Sequence, residues 1–415
     1  MILFILISQI VLLGNFKGII GPISARYFIN LIERGERENA EAVVITMDTP
    51  GGFDQAMRDI VKAELNANVP IVIYIYPSGS RDASAGVFIT LASNIAAMSP
   101  GTNIGAAHPV AIGMGGEKMD EEMKKKMTND AAAYIKAIAE KRKRNIKWAE
   151  EAVRKSVSIT EKEALNLNVI DLIANNVSEL LNKIDGWRVD LPKGKKVIRT
   201  KNAEVKKVPM SFRELLLSKI ANPNIAYILL ILGFYGLLFE ITHPGAIAPG
   251  VFGAISLVLA FFAFQTLPIN YAGLALIILG IIMFILEVMT PTYGPLTIGG
   301  IISMTIGSMM LINTSAPYLK ISIPLIIAAV GTTAAFFIFA LGMAIKVMRR
   351  RPTTGDKGMI GQEGIAKTDI DNRKGKVFLR GEYWNAFSDE PIKKGEEIEV
   401  LEVKGLKLKV KKKEE

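Results

Sequence analysis

Cysteine is absent from the 415 residues, which excludes disulfides, thiol nucleophiles and thiolate metal sites and leaves the compartment open. Histidine is almost as scarce. His108 and His243 are the whole supply, so imidazole offers few candidates for a catalytic base and none for a clustered metal centre. No basic patch is interleaved with aromatics, so the net charge of +10 does not read as a nucleic-acid footprint. It is spread over Lys141 to Arg144, Lys193 to Lys207, Arg349 to Arg351 and Lys411 to Lys413, in the manner of solvated faces and juxtamembrane anchors. From Asn224 to Met348 charge itself nearly vanishes.

What is present, in the amino-terminal half, is a pair of loops that follow apolar runs. Ala42 to Met47 is β-prone throughout and leads into Asp48-Thr49-Pro50-Gly51-Gly52, where glycine lets main-chain N–H groups approach a ligand, before a helical stretch from Phe53 to about Ala67. Val69 to Tyr76 reads as a second buried strand, Pro77 to Asp82 as a loop, and Ser84 to Asn94 as a short apolar helix. Ser84, within Asp82-Ala83-Ser84-Ala85-Gly86, therefore opens a helix. Unpaired N–H groups and the positive end of the macrodipole favour developing negative charge there. A serine at a helix start is more often a plain N-cap. The order of the two loops, with Thr102 to Pro109 behind them, points instead to Ser84 as a nucleophile and to N–H groups of Gly51, Gly52 and Ala85 as an oxyanion hole.

Met47-Asp48-Thr49-Pro50-Gly51-Gly52, Ala83-Ser84-Ala85-Gly86, Ser99 to Ala106 and Thr160 to Ala174 together resemble the long-form NfeD proteins, and the likeness runs through essentially the whole chain. Those are membrane-bound serine proteases with a Clp-protease-like fold, related to signal peptide peptidase A and more distantly to the crotonases. The resemblance implies a Ser-Lys dyad. Its lysine, which stands just before a Thr-Asn pair and an aromatic helix, maps onto Lys126, ahead of Thr128-Asn129 and Ala133-Tyr134-Ile135-Lys136. A lysine can serve as base when desolvation holds it neutral.

Periodicity does not choose Lys126. One continuous helix from Met119 to Ala139 would carry the stripe Met123, Met127, Ala131, Tyr134, Ile138 and bring Lys124 nearer that face. Lys126 is favoured if the helix begins near Thr128, leaving Lys124 to Lys126 on the segment after Gly113-Met114-Gly115-Gly116. A lysine triplet is otherwise a solvated face. His108 is the alternative base, about as far beyond Ser84 as the catalytic histidine follows the serine in Clp proteases. Met114, Met119, Met123 and Met127 offer an adaptable apolar flank for hydrophobic peptides, or plain packing.

Five apolar stretches, centred on 225–241, 247–265, 271–289, 296–312 and 323–347, are each near the ~20 residues that span a bilayer. Glu240 and Glu287 lie near span ends, as interfacial carboxylates do. With an odd number of spans and Lys346 and Arg349 to Arg351 after the last, the positive-inside rule puts the carboxy-terminal part in the cytoplasm and the catalytic part outside. Met1 to Leu13 has the core of a signal sequence but no basic flank.

The segment from Gly186 to Val208 reads as a hairpin or extended tether, and Ser211 to Ile220 as an amphipathic helix suited to a bilayer surface. After Pro352, the runs Lys376 to Arg380, Ile398 to Val403 and Leu406 to Val410 alternate apolar with charged residues and predict a small barrel. Gly361 to Ala366 and Gly381 to Ala386 resemble the NfeD soluble domain, an OB-type fold. Trp384 is expected to serve as core or protein interface rather than to stack on a base.

The expected architecture is an α/β crotonase/Clp-protease-like domain, then an all-α multispan membrane domain and a small all-β OB-type barrel. The boundaries are 1–13 for a signal/anchor-like segment, 14–185 for the protease, 186–222 for the tether and helix, 223–348 for the membrane domain and 349–415 for the barrel. The expected function is a membrane-bound serine endopeptidase that needs no cofactor and no metal. The resemblance implies stomatin or prohibitin-type membrane proteins as substrates or partners, contact with membrane lipid, and a homo-oligomer, and no nucleic acid is expected. A catalytically inactive membrane scaffold and a crotonase-type acyl-CoA enzyme are the alternatives.

Overall fold

Unbroken apolar runs form strands buried on both faces, and such strands pair in parallel with helices packed on each side. The computed structural model follows that logic and describes residues 9–109, 121–243, 245–290, 294–314, 316–348 and 356–413. Residues 1–8, the stretch 113–116 with Met114, and Met119 and Arg349 to Arg351 fall outside them. The first part runs β1 (Ile10–Lys17), α1 (Pro22–Arg37), β2 (Ala42–Asp48), α2 (Asp54–Asn66), β3 (Ile71–Ile75), β4 (Arg81–Asp82), α3 (Ala85–Ala92), β5 (Ile95–Met98), β6 (Asn103–Gly105), α4 (Glu121–Lys141), α5 (Ile146–Arg154), β7 (Ser158–Thr160), α6 (Glu161–Asn166), β8 (Leu172–Ile173), α7 (Val177–Ile184), β9 (Arg188–Leu191), β10 (Gly194–Val197), β11 (Glu204–Lys207) and α8 (Phe212–Ile220).

Six strands form one parallel sheet in the order β11-β1-β2-β3-β5-β8, and β4, β6 and β7 form a second, three-stranded sheet. Alternate residues divide the large sheet between two cores. Leu12, Val43, Ile45 and Ile73 face helices α1 to α5, while Val11, Val44, Val72 and Tyr74 face α7 and the β9–β10 hairpin. One sequence expectation changes here. Ile10 to Leu13, assigned to a leader, are strand residues paired with Ala42 to Val44 on one side and Glu204 to Lys207 on the other. In the segment from Gly186 to Val208, β9 and β10 form a hairpin, one of the two forms expected, and β11 joins the edge of the six-stranded sheet.

The membrane region comprises α9 (Pro223–Thr242), α10 (Ile247–Phe264), α11 (Tyr271–Met289), α12 (Pro295–Met310) and α13 (Ile323–Met348). By length and composition Pro223–Thr242, Ile247–Phe264 and Ile323–Met343 suffice to cross a membrane, and Tyr271–Glu287 and Pro295–Met310 are shorter apolar helices. Glycine lets α9 and α10 touch closely, since a Cβ on Gly236 would lie 2.6 Å from the Gly253 Cα. Phe252, Val258 and Phe261 on α10 are exposed, as befits a lipid-facing surface.

Contacts divide the chain into two compact units, residues up to 284 with 296–334, and 285–295 with 335 onward. Within the second unit, α14 (Asp356–Met359) precedes β12 (Glu363–Ala366), β13 (Lys376–Leu379), β14 (Glu382–Phe387), β15 (Glu397–Lys404) and β16 (Lys407–Lys412), which close into a barrel in the order β12-β13-β14-β16-β15. Val377, Leu379, Ile398, Val400, Leu408 and Val410 fill it, and Trp384 packs half-buried against that core.

Candidate active site

The turn after β2 and the start of α3 are joined through the main chain. Thr49 N–H donates to the Arg81 carbonyl at 2.9 Å and Ala83 N–H to the Thr49 carbonyl at 3.1 Å. Gly51 and Gly52 are clamped from the other side, where Ile20 N–H donates to the Gly51 carbonyl at 2.9 Å and Phe53 N–H to the Ile20 carbonyl at 2.8 Å. Only glycine fits this turn. Gly51 has φ +118°, and a Cβ there would lie 2.5 Å from the Ser84 Cβ, while a Cβ on Gly52 would collide with the Ile20 carbonyl.

Ser84 stands immediately before α3 with φ 54° and ψ −115°, a sparsely populated backbone conformation for a residue with a side chain. Its N–H donates to the Ala106 carbonyl at 2.6 Å. Its side chain makes no capping bond, so it is not the plain N-cap that its position suggests. Among the described residues the N–H groups of Gly52 and Ala85 have no acceptor, whereas Gly51 N–H donates to Thr49 Oγ1 at 3.1 Å. Two unpaired donors beside a serine hydroxyl are what an oxyanion requires. A cavity of about 350 Å³ opens at Ser84, with Gly52, Met57, Ala85, Phe88, Met127 and Ala131 among its lining and Asp54, Arg58 and Asp130 at its polar side. Arg58 pairs with both carboxylates and stacks over Tyr134, its guanidinium carbon 4.5 Å from the ring centre.

The two candidate bases lie elsewhere. α4 is already helical at Glu121, where the described residues resume, about two turns before the start near Thr128 that favoured Lys126, and Thr128 Oγ1 bonds the Lys124 carbonyl within the helix. Lys126 is thus helical and 68% exposed, pairs with Glu122 at 3.3 Å, and is not among the cavity-lining residues, although its neighbour Met127 is. Lys124 is exposed too and pairs with Glu121. His108 is exposed, with Nδ1 2.7 Å from the Val153 carbonyl; a carbonyl only accepts, so Nδ1 carries the proton. Ala107 and Pro109, which flank it, line the cavity.

Two further groups were not flagged by the sequence. The Tyr318 phenol, from the loop between α12 and α13, lies beside the Ser84 hydroxyl: both oxygens stand 3.1 Å from the point that a Cβ on Gly51 would occupy. Beneath α3, Asp82 is fully buried: Oδ2 accepts from Thr90 Oγ1 at 2.7 Å, Oδ1 has no partner among the described residues, and burial pushes the carboxyl up to about 7. Glu64, also buried and without hydrogen bonds to its carboxylate, is raised well above the ordinary range by burial, with Arg142 and Arg144 opposing the shift. The tyrosine had no local signal. The aspartate stood inside the serine motif itself.

Three family profiles match consecutive parts of the chain: the NfeD1b N-terminal domain over residues 24–207, the NfeD integral membrane domain over 224–343, and the NfeD-like C-terminal, partner-binding domain over 356–412. The chain is 37% identical to the membrane-bound protease PH1510 of Pyrococcus horikoshii over 97% of its own length and 93% of that protein's. It is 24% identical to the membrane protein NfeD1b of Bacillus subtilis, covering 93% of this chain and 89% of that one. Among solved structures, the 1510-N membrane protease specific for a stomatin homolog from Pyrococcus horikoshii is 36% identical, covering 51% of this chain and 98% of that chain, with a TM-score of 0.45. A lysine-to-alanine variant of 1510-N, described as a membrane-bound stomatin-specific protease in complex with a substrate peptide, is 36% identical over the same shares with a TM-score of 0.47.

Proposed function

The chain belongs to the NfeD family as one of its membrane-bound serine proteases, and from that premise we propose that Ser84 is the nucleophile, Lys126 the base, and the Gly51–Gly52 turn with Ala85 the oxyanion hole. The observation that carries this reading is Ser84 itself, held at φ 54° at the mouth of a cavity and flanked by N–H groups of Gly52 and Ala85 that have no acceptor among the described residues. Gly51 contributes shape, since its own N–H is engaged by Thr49. The hydroxyl attacks the peptide carbonyl, the base takes its proton, the oxyanion rests on the two N–H groups, and the protonated base then delivers the proton to the leaving amine. For Lys126 to act, its ion pair with Glu122 must open and the first turns of α4 must shift toward Ser84.

Met57, Phe88, Met127 and Ala131 give the cavity an apolar floor, which supports hydrophobic segments as substrates. By analogy with the relative described as specific for a stomatin homolog, stomatin or prohibitin-type membrane proteins are the substrate class. The protease domain faces outward and the barrel the cytoplasm, with lipid around the apolar helices and more than one copy in the assembly; Lys346 near the end of α13 supports this orientation.

The test is cleavage of hydrophobic peptides by the full-length protein in detergent, alongside covalent labelling by a phosphonylating probe. Ser84→Ala and Lys126→Ala should each abolish turnover while His108→Ala retains it. Loss with His108→Ala and not with Lys126→Ala moves the base, and turnover that survives Ser84→Ala ends the serine-protease assignment.

A further inference from the structure

Ser84 has a neighbour that the protease domain does not supply. Tyr318 lies in a short helical turn, Pro317–Leu319, between α12 and α13, in the same compact unit as Ser84. A Cβ built on Gly51 would stand 3.1 Å from both the Ser84 Oγ and the Tyr318 Oη, so the absence of a side chain at Gly51 is what admits the phenol to the nucleophile. The loop is fixed at several points. Ile312 bridges Ile269, Asn270 N–H donates to the Leu311 carbonyl at 2.9 Å, Ala316 N–H to Thr314 Oγ1 at 3.1 Å, and Ser322 N–H to Asn224 Oδ1 at 2.8 Å, while Leu319 is buried.

The contact does not close the site. Tyr318 is not among the residues lining the cavity, which reaches Ser84 past Gly52 and Ala85. Because Ser84 φ and ψ are set by the strand-to-helix turn, the remaining freedom of the nucleophile is rotation about Cα–Cβ, and a hydrogen bond to Oγ removes it. Burial raises the phenol above its ordinary range, so it stays protonated and able to donate.

We propose that Tyr318 is a positioning residue for the reaction and that the membrane domain thereby completes the catalytic centre. The phenol donates to Ser84 Oγ, holds it toward the cavity, and stabilises the negative charge that builds on oxygen as the base withdraws the serine proton; the phenol keeps its own proton throughout. This inference rests on Ser84 being the nucleophile.

The test compares full-length wild type, Tyr318→Phe, which keeps the ring and its packing, and Lys320→Ala, an exposed change in the same loop. The rate of Ser84 phosphonylation is measured across pH, together with kcat and KM for a hydrophobic peptide. Tyr318→Phe should slow both phosphonylation and kcat about tenfold, the worth of one hydrogen bond, with KM within about twofold and the labelling profile displaced to higher pH. Lys320→Ala should behave as wild type. A Tyr318→Phe protein that labels at the wild-type rate and pH, or faster, overturns the proposal: the first outcome makes the phenol mere packing, the second makes it a plug. Wild type that never labels at Ser84 is a different failure, that of the protease reading itself.

Discussion

Asp82 sits two residues before Ser84 and carries no charge in the folded protein at low pH. Its carboxyl is pushed from 3.8 to about 7 by burial, with a single donor, Thr90, opposing the shift. The folded state therefore holds a proton that the unfolded chain releases, so Asp82 favours folding fully below its unfolded pKa, and that contribution is lost as pH rises through about 7. Glu64, raised by burial as well, acts in the same direction. Asp82→Asn keeps a group that can accept from Thr90 and cannot ionise. Thermal unfolding of the full-length protein between about pH 5 and pH 8 should lose less stability in the variant than in wild type, and equal slopes would show that Asp82 does not titrate in that window. At this scale much was legible in the sequence. Gly51, Gly52 and Ser84 declare themselves because turn chemistry is local, while Tyr318 is invisible because only the tertiary fold brings it to Ser84.

Helix α3 has eight residues, all buried, and presents Ser84 at one end and unpaired carbonyls at the other. Two arginines satisfy that second end: Arg144 donates to the Leu91 carbonyl at 3.2 Å, to Ser93 at 3.3 Å and to Val169 at 3.2 Å, and Arg142 donates to Ala92 at 2.6 Å. Arg144 also pairs with Asp171 at 2.9 Å with only 2% of its side chain exposed. Arg144→Ala should cost about 3 kcal/mol by leaving these acceptors unpaired, read as a lower unfolding midpoint in urea, and Arg144→Lys should recover little of it because one ammonium cannot span the fork. The run Lys141 to Arg144 reads as a solvated face in the sequence, and half of it is. Lys141 and Lys143 are exposed and their neighbours turn inward, a distinction that charge type does not encode and that the carbonyls of α3 decide. Strands and helices with an apolar period were found nearly in place, as β2, α2 and β3 show. For α4 the sequence leaves two readings open, and the structure follows the continuous helix that the stripe Met123, Met127, Ala131, Tyr134 and Ile138 describes rather than a start near Thr128.

Across the whole molecule, the order of protease, membrane helices and barrel follows from composition, because a stretch nearly free of charge and a stretch of alternating charge cannot be mistaken for each other. What composition could not give is where the first domain ends. β11 lies beyond the hairpin, carries four exposed residues, and looks like linker, yet it hydrogen-bonds along Ile10 to Leu13. Its position makes the catalytic sheet and the approach to the membrane one continuous piece of chain. A protein cut after residue 185 would strip that cover and leave β1 with a row of unpaired N–H and C=O groups, an open edge ready to recruit a strand from another chain. Such a fragment should aggregate in size-exclusion chromatography where one ending at residue 221 stays dispersed, and a monodisperse 185-residue fragment would mean that the edge protects itself. β11 thus serves as a guard against self-association, stationed along the edge of the sheet in a segment that the sequence reads as a hairpin or tether.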